Sequence, residues 1–365
     1  MQSRKFRIIA YYLPQFHPIP LNDQWWGKGY TEWRNVGMAK PLFKGHYQPR
    51  VPADLGYYDL RMPEIREMQV QMAREAGIEG FMYWHYYFGN GKRLLNLPFD
   101  EVLESKRPDF PFCLGWANHD WTNKQWTNEN KNDKTAHVVK QEYNGFEDYK
   151  QHFYILLKAF SDDRYIKIDG KPLFLIYKPL DIPNPKEFIT IWNELANSNG
   201  LKGIYFIGLD STDNYSKILE AGYDAVNRNG QWRAECLVKG SVKRKVINFL
   251  KTKFDKIVLD KYDFKEIIQH LYTEAEKEEN IYPIILPQWD RSPRSGSSAV
   301  IYHDSTPQLF EKNVQRALSL ITHKNPEHQI IFLKSWNEWA EGNYVEPDIR
   351  FGLEYLNVIK KNLFG

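Results

Sequence analysis

Two glutamates three residues apart, Glu338 and Glu341, stand between tryptophans in the run Ser335-Trp336-Asn337-Glu338-Trp339-Ala340-Glu341-Gly342. If the chain turns there, both carboxylates reach one small volume. Cleavage of a glycosidic bond needs such a pair: one carboxyl gives a proton to the leaving oxygen and the other serves as base or nucleophile. Burial beside Trp336 and Trp339, and the closeness of two like charges, would raise one of the two pKa values and so create the acid. The plainer alternative is a solvated acidic turn. Chemistry gains weight from the other places where aromatic and hydrogen-bonding side chains gather. Tyr11, Gln15, His17, Trp25, Trp26, Glu32 and Trp33 form one group; Tyr83, Trp84 and Tyr86 form a second; Trp116, Asn118, His119 and Asp120 form a third. Tyr177, then Trp289, Asp290 and Arg294, and finally Trp336 and Asn337 complete the candidate ligand contacts. Flat apolar faces with polar edges suit sugar rings. Trp25, Trp26, Trp33, Trp116, Trp289 and Trp336 are therefore expected to line one cleft with the two glutamates. Glu32 reads as a ligand contact or as a surface partner of Arg34, and Asp290 with Arg294 as a loop-fixing ion pair or a substrate contact. His17, His85 and His119 lack metal-ligand spacing, so no metal is expected. No glycine-rich phosphate loop and no Gly-x-Ser-x-Gly elbow is present, so no cofactor is implied.

Residues so far apart in the chain need a scaffold that gathers them at one end. Eight short apolar runs, at 7–12, 80–84, 111–116, 172–177, 204–208, 223–226, 283–287 and 329–335, alternate with helical patterns. Several are apolar without alternation, as strands covered on both faces are. Ile65, Met68, Met72 and Ala76 before Gly77 predict one helix. Asn184-Pro185 opens another over Phe188, Ile191, Trp192 and Leu195, and Thr306-Pro307 a third over Phe310, Val314, Ala317, Leu318 and Ile321. The α/β arrangement that closes this pattern most economically is a single (β/α)8 TIM barrel, with a doubly wound open sheet as the alternative. In the barrel, the C-terminal strand ends carry the candidate residues. Two connections break the rhythm. The first βα loop, 13–62, is long and rich in Trp, Tyr, His, Pro and Gly. An insertion after strand 6, 233–261, holds nine basic and three acidic residues interleaved with apolar ones. It reads as a helix with a solvated basic face, or as a weak contact with an anionic membrane surface.

Of the 365 residues, 42% are hydrophobic, which supports a sizeable core in one domain, 1–365, and excludes wholesale disorder. A formal net charge of +3 gives no reason to expect a nucleic-acid partner. Cys113 and Cys236 are the two cysteines, expected as buried small hydrophobes rather than a disulfide or zinc site. No run reaches the length of a membrane span and the first residues lack a signal-peptide pattern, so the chain reads as soluble and cytoplasmic, peripheral to the inner membrane if the basic insertion makes contact.

The runs Ala10-Tyr11-Tyr12-Leu13-Pro14-Gln15-Phe16-His17-Pro18, Trp25-Trp26-Gly27-Lys28-Gly29-Tyr30-Thr31-Glu32-Trp33, Trp116-Ala117-Asn118, Lys171-Pro172-Leu173-Phe174, Pro287-Gln288-Trp289-Asp290 and Trp336–Gly342 resemble the WbsX family. Its members are found with bacterial surface-polysaccharide genes, are often labelled glycosyltransferases, and are related to glycoside hydrolase family 99, the endo-α-mannosidases and mannanases. The resemblance implies a (β/α)8 barrel and an oligosaccharide or polysaccharide substrate. It also implies that Glu338 is the base activating a sugar 2-hydroxyl, and Glu341 the acid to the leaving oxygen, with net retention through a 1,2-anhydro sugar. Many relatives read Trp-Ala-Asn-Glu-Asn-Trp where this chain has Trp116-Ala117-Asn118-His119-Asp120-Trp121, which leaves the sugar open. The resulting expectation is a retaining, endo-acting glycoside hydrolase, with a glycosyltransferase or a non-catalytic carbohydrate-binding protein as alternatives.

Overall fold

The computed structural model describes residues 6–122, 137–240 and 259–364, together with Val246 and Phe249. Eight strands form its centre: β1 (Arg7–Tyr12), β2 (Gly80–Tyr87), β3 (Phe112–Trp116), β4 (Lys171–Ile176), β5 (Tyr205–Asp210), β6 (Ala225–Arg228), β7 (Ile281–Ile285) and β8 (Ile330–Leu333). Each pairs in parallel with the next, and β8 returns to β1 through Arg7↔Ile330 and Ala10↔Leu333. The sheet is thus closed, a (β/α)8 TIM barrel, and all eight runs expected to be strands are in it. The strands are almost wholly buried because helices cover their outer face while side chains fill the inside.

Helices follow the strands in order: Pro63–Glu75, Leu97–Ser105, Phe146–Phe160, Pro185–Ser198, Tyr215–Glu220, Gln231–Lys239, Pro307–Ile321 and Glu354–Phe364. Two begin as their sequence signals require. Asn184 Oδ1 accepts from the Glu187 amide and Thr306 Oγ1 from the Leu309 amide, each satisfying a donor that the first helical turn leaves open. The first helix keeps most of its expected apolar face, with Ile65 and Met72 packed against the core and Ala76 buried. Met68 faces solvent, and the buried side also holds Arg66, Gln69, Val70 and Ala73. Its two polar members are buried because they are paired: Arg66 reaches the Leu60 carbonyl and Glu101, and Gln69 accepts from the Tyr12 hydroxyl at 2.7 Å.

Alternation along the strands decides which side chains look into the barrel. Tyr11 meets Trp84 and Phe332 inside, at ring-centroid distances of 5.1 and 5.8 Å. Gly115 keeps room for them, since a Cβ there would stand 2.8 Å from Met82 and 3.2 Å from Trp84. The intervening residues point outward. Tyr83 packs on Tyr12 and on Phe99 of the second helix, and Trp116 packs on His152 and Phe188 of the third and fourth. Tyr83 and Trp116, both expected to contact a ligand, are therefore core residues. So is Trp336, fully buried against Phe81 at 5.0 Å.

The long first connection contains two short helices, Pro20–Trp26 and Glu32–Met38. The second packs against the turn after β8 and against the short helix Ser292–Ser295 after β7, so this connection folds over the C-terminal mouth. After β6, helix Gln231–Lys239 ends at Gly240. Most of the remaining basic insertion lies outside the described residues, and with it the expected amphipathic helix. Cys113 is buried, but Cys236 is half-buried. Among the described residues no helix is long and apolar enough to cross a membrane.

Trp336→Ala should lower unfolding free energy by roughly 3–5 kcal/mol, the usual result of emptying a buried tryptophan site. Denaturant unfolding tests this; an unchanged midpoint would contradict its place in the core.

Candidate active site

Beyond β8 the chain doubles back within a few residues. Asn337–Glu338 pairs antiparallel with Asn343–Tyr344 across the tight turn Trp339–Glu341. Gly342 closes the turn at φ 56°, where a Cβ would meet Asp290 at 2.8 Å and the Arg50 guanidinium at 3.0 Å, so glycine answers both a backbone and a packing demand. Ser335 Oγ accepts from the Glu338 amide at 3.1 Å and donates to the Asn343 carbonyl at 2.7 Å. The Trp339 ring stacks on Tyr344 at 3.7 Å, and its Nε1 donates to Glu346 Oε2 at 2.6 Å. Glu346 also accepts from the Tyr58 hydroxyl at 2.9 Å and from Gln69 Nε2 at 2.7 Å. Burial pushes this carboxyl up to about 7 despite those donors. Asn337 does not face a ligand. It bridges to the first loop, accepting from the Leu13 amide at 2.8 Å and donating to the Leu13 carbonyl at 3.0 Å.

This hairpin brings Glu338 and Glu341 onto one guanidinium. Arg294 Nη1 lies 2.6 Å from Glu341 Oε1 and 3.4 Å from Glu338 Oε1, while its Nη2 pairs with Glu32. Arg291 Nε is 3.1 Å from the same Glu341 oxygen. Glu32 thus pairs with Arg294 rather than Arg34, whose guanidinium holds the Trp26 carbonyl. Burial raises the Glu32 carboxyl against the pull of Arg294. Burial and the neighbouring Glu341 charge push Glu338 up. Glu341 moves the opposite way: burial is outweighed by Arg291, Arg294 and Lys334, which hold it below the ordinary carboxylate range. Lys334, at the end of β8, is itself lowered by burial, and its Nζ donates to Gln231 Oε1 at 2.7 Å and sits 4.1 Å from the Trp289 ring centroid.

The two carboxyls open into a cavity of about 320 Å³ at the barrel mouth. Of the residues expected from sequence, Tyr11, Gln15, Trp84, Tyr86, His119, Tyr177, Trp289, Arg294, Glu338 and Glu341 line it. Gln15 Nε2 donates to the Tyr86 hydroxyl at 2.9 Å, fixing that ring edge. His119 Nδ1 meets the Asp120 carbonyl at 2.9 Å, which makes Nδ1 the protonated nitrogen, and burial lowers the imidazole so that it stays neutral.

The other expected contacts serve elsewhere. Trp33 packs between Phe16, Tyr58 and Trp339, its Nε1 donating to the Tyr58 carbonyl at 2.7 Å, so it supports the hairpin from behind. Trp25 is exposed, Trp26 lies against Tyr30, and neither reaches the cavity. His17 is buried outside it. Asn118 clamps the loop after β4 through Lys178, accepting from its amide at 2.7 Å and donating to its carbonyl at 2.9 Å. Asp120 accepts from the Gln141 amide at 2.7 Å. Asp290 pairs with His46 at 2.8 Å, Gln48 at 2.7 Å and Arg50 at 3.7 Å rather than with Arg294. Asn118 and Asp120 satisfy loop backbone, as short polar side chains at strand ends do, and Trp33 goes where apolar surface is covered. The single tryptophan-lined cleft is corrected accordingly: Trp289 stays, and Trp84, Trp121 and Trp232 supply the other indoles. Sequence reading missed Trp232, Arg291 and Lys334. Their positions just after β6, after β7 and at the end of β8 were the available signal.

The chain is thus a closed βα barrel with one buried and one half-buried glutamate beneath an aromatic mouth. Among solved structures, a "glycoside hydrolase-like protein" superposes with a TM-score of 0.62 at 14% identity, covering 100% of this chain and 96% of that one. A family 99 endo-α-mannosidase from Bacteroides thetaiotaomicron superposes with a TM-score of 0.60 at 16% identity, covering 98% and 96%. These likenesses establish the shared fold. Residues 8–359 match the model of the family described as glycosyltransferase WbsX, and the chain belongs to that family. A protein called WxcX from Xanthomonas campestris pv. campestris, described as uncharacterized, is 32% identical over 363 residues, 98% of this chain. The chain spans about half the length, 49%, of that relative.

The hairpin's dependence on Glu346 is directly testable. Glu346→Gln replaces one acceptor oxygen with a donor facing other donors, and should cost about 1–3 kcal/mol of stability. Chemical denaturation reads the loss; full stability would show that the three hydrogen bonds do not hold the turn.

Proposed function

We propose that this chain is a retaining, endo-acting glycoside hydrolase, working as one catalytic domain on α-linked glycans, manno-type or related, or on bacterial surface polysaccharide. Glu338 and Glu341 are the reacting pair. The observation that carries this reading is the shared guanidinium. Because Glu341 Oε1 and Glu338 Oε1 lie 2.6 and 3.4 Å from one nitrogen, they are no more than about 6 Å apart. At that separation both carboxyls can reach one scissile bond and the sugar hydroxyl beside it, as an acid and a base acting together must. Tyr11, Trp84, Tyr177 and Trp289 around the pair offer rings and hydroxyls to a sugar. The neutral His119 leaves an acceptor nitrogen for a hydroxyl. The family 99 endo-α-mannosidase shares the fold, and a common fold alone does not carry its substrate over.

The family's description as a glycosyltransferase motivates a second reading, in which the same pair serves transfer to another glycan. A panel of α-linked oligosaccharides, incubated with and without nucleotide sugars and read by mass spectrometry, separates the two. Cleavage without a nucleotide sugar supports the hydrolase; extension that needs one supports the transferase. Binding without turnover would leave a carbohydrate-binding protein.

On a hydrolysed substrate, Glu338→Gln and Glu341→Gln should each lower turnover by at least about a hundredfold with folding unchanged. A near-normal rate in either variant would remove that residue from the chemistry.

A further inference from the structure

The two sides of the barrel mouth differ in chemistry. Around the ends of β2 and β3 the cavity wall is neutral, made of Tyr86, Trp121 and the uncharged His119. Around the ends of β6, β7 and β8 it carries two cations, Lys334 and Arg291, and the half-exposed indole of Trp232. These three are held close to one another. Gln231 precedes Trp232 on the first turn of helix Gln231–Lys239 and accepts from Lys334 Nζ at 2.7 Å; that Nζ sits 4.1 Å from the Trp289 ring centroid, and Arg291 follows Trp289 in the same loop.

Neither cation is fully matched by its surroundings. An ammonium has several N–H donors, yet Lys334 hydrogen-bonds only a neutral amide oxygen and pairs with no carboxylate among the described residues. Burial lowers its pKa even though Glu341 and Glu338 pull the other way, so those carboxyls do not make up for the lost water. Arg291 Nε lies 3.1 Å from Glu341 without a hydrogen bond to it, and 37% of the side chain is exposed. The other acids nearby are engaged: Glu32 and Glu341 hold Arg294, and Glu235 accepts from the Tyr302 hydroxyl at 2.7 Å. An incoming anion stabilises such cations far more than a neutral hydroxyl does. Trp232 adds the second observation. It is 47% exposed on a turn fixed by its neighbour Gln231 and by Glu235, and among the described residues no ring or cation covers it. A flat apolar face so presented suits a pyranose ring.

We propose that this side of the mouth is a subsite for an acidic sugar, whose carboxylate or phosphate substituent meets Lys334 and Arg291 while its ring lies on Trp232. The glycan that the barrel takes is then an anionic one, with its acidic residue on the β6–β8 side and a neutral residue against the rings of the β2–β3 side. This narrows the substrate class of the proposed function and rests on the cavity being its glycan site.

Binding tests the subsite without any turnover. The full chain is titrated, by ligand-observed NMR, with methyl α-glycosides of the manno, gluco and galacto series, each as the neutral sugar, its uronate and its 6-phosphate. In at least one series an anionic member should bind at least about tenfold more tightly than the neutral one, the scale of a charge-assisted contact. The uronate and phosphate arms show which anion is taken. K334Q and R291Q should each cut the preference to about threefold or less, because the anion then loses a charged partner. W232A should weaken neutral and anionic members alike, by about tenfold, since stacking on a ring does not depend on the charge. Neutral sugars bound as well as the anionic ones in every series, or a preference that survives both K334Q and R291Q, would overturn the proposal. The parent chain's preference decides the matter if a variant fails to fold, and unchanged binding in W232A would remove the ring from the subsite. The two readings fail separately. Cleavage of neutral α-glycans with no anionic preference keeps the hydrolase and ends the subsite; tight binding of an acidic sugar with no glycan cleaved keeps the subsite and ends the hydrolase.

Discussion

The Arg294 guanidinium is the charge on which the barrel mouth depends. Glu32, Glu338 and Glu341 are each largely removed from water, and all three meet this one side chain. Two like charges about 4 Å apart in an environment of effective dielectric near 20 repel by roughly 4 kcal/mol, and each buried ion also loses hydration. A buried cation among them turns that repulsion into a link. The link spans the whole chain: Glu32 comes from the connection after β1, Arg294 from the loop after β7, and the two glutamates from the hairpin after β8. The long first connection is thereby pinned over the mouth by an ion pair as well as by its apolar contacts.

Behind that charge cluster stands a second layer that makes the hairpin stiff. Glu346, fed by Tyr58, Gln69 and Trp339, lies under the turn; Asn337 ties it to Leu13; and Gly342 lets it pass close to Asp290 and Arg50. Asp290 in turn gathers His46, Gln48 and Arg50 from the first connection. A carboxylate pair keeps a useful geometry when its own backbone cannot relax away from the repulsion, and here the restraint comes from satisfied buried hydrogen bonds.

Much of this was legible in the linear order of residues. The eight apolar runs and the caps at Asn184 and Thr306 state a local rule that holds wherever the segment ends up, because hydrogen bonding at a helix end and the period of a strand are short-range matters. The pair Glu338 and Glu341 was legible for the same reason: three residues of separation followed by Gly342 describe a turn. What could not be read was which alternate residues of a strand look inward. Trp84 enters the cavity and Tyr83 enters the core, although they are neighbours of similar type. Choosing between them requires the helix that covers Tyr83, and so the closed sheet.

The amino-acid sequence by itself therefore determined the succession of strands and helices and the two carboxylates, since each follows from periodicity, capping and spacing within a few residues, while closure of the sheet comes from pairing between its first and last strands. Tertiary structure alone decided what those carboxylates are worth. Arg291, Arg294 and Glu32 lie far from the pair in the chain, and the pairing of the two arginines with the glutamates, like that of Glu32 with Arg294, comes from how the loops meet once the sheet has closed. It likewise sent Trp116 and Trp336 into the core and brought Trp232 to the cavity. The physical reason is range: electrostatic and packing partners are chosen by distance in space, which a linear pattern constrains only after the fold has been made.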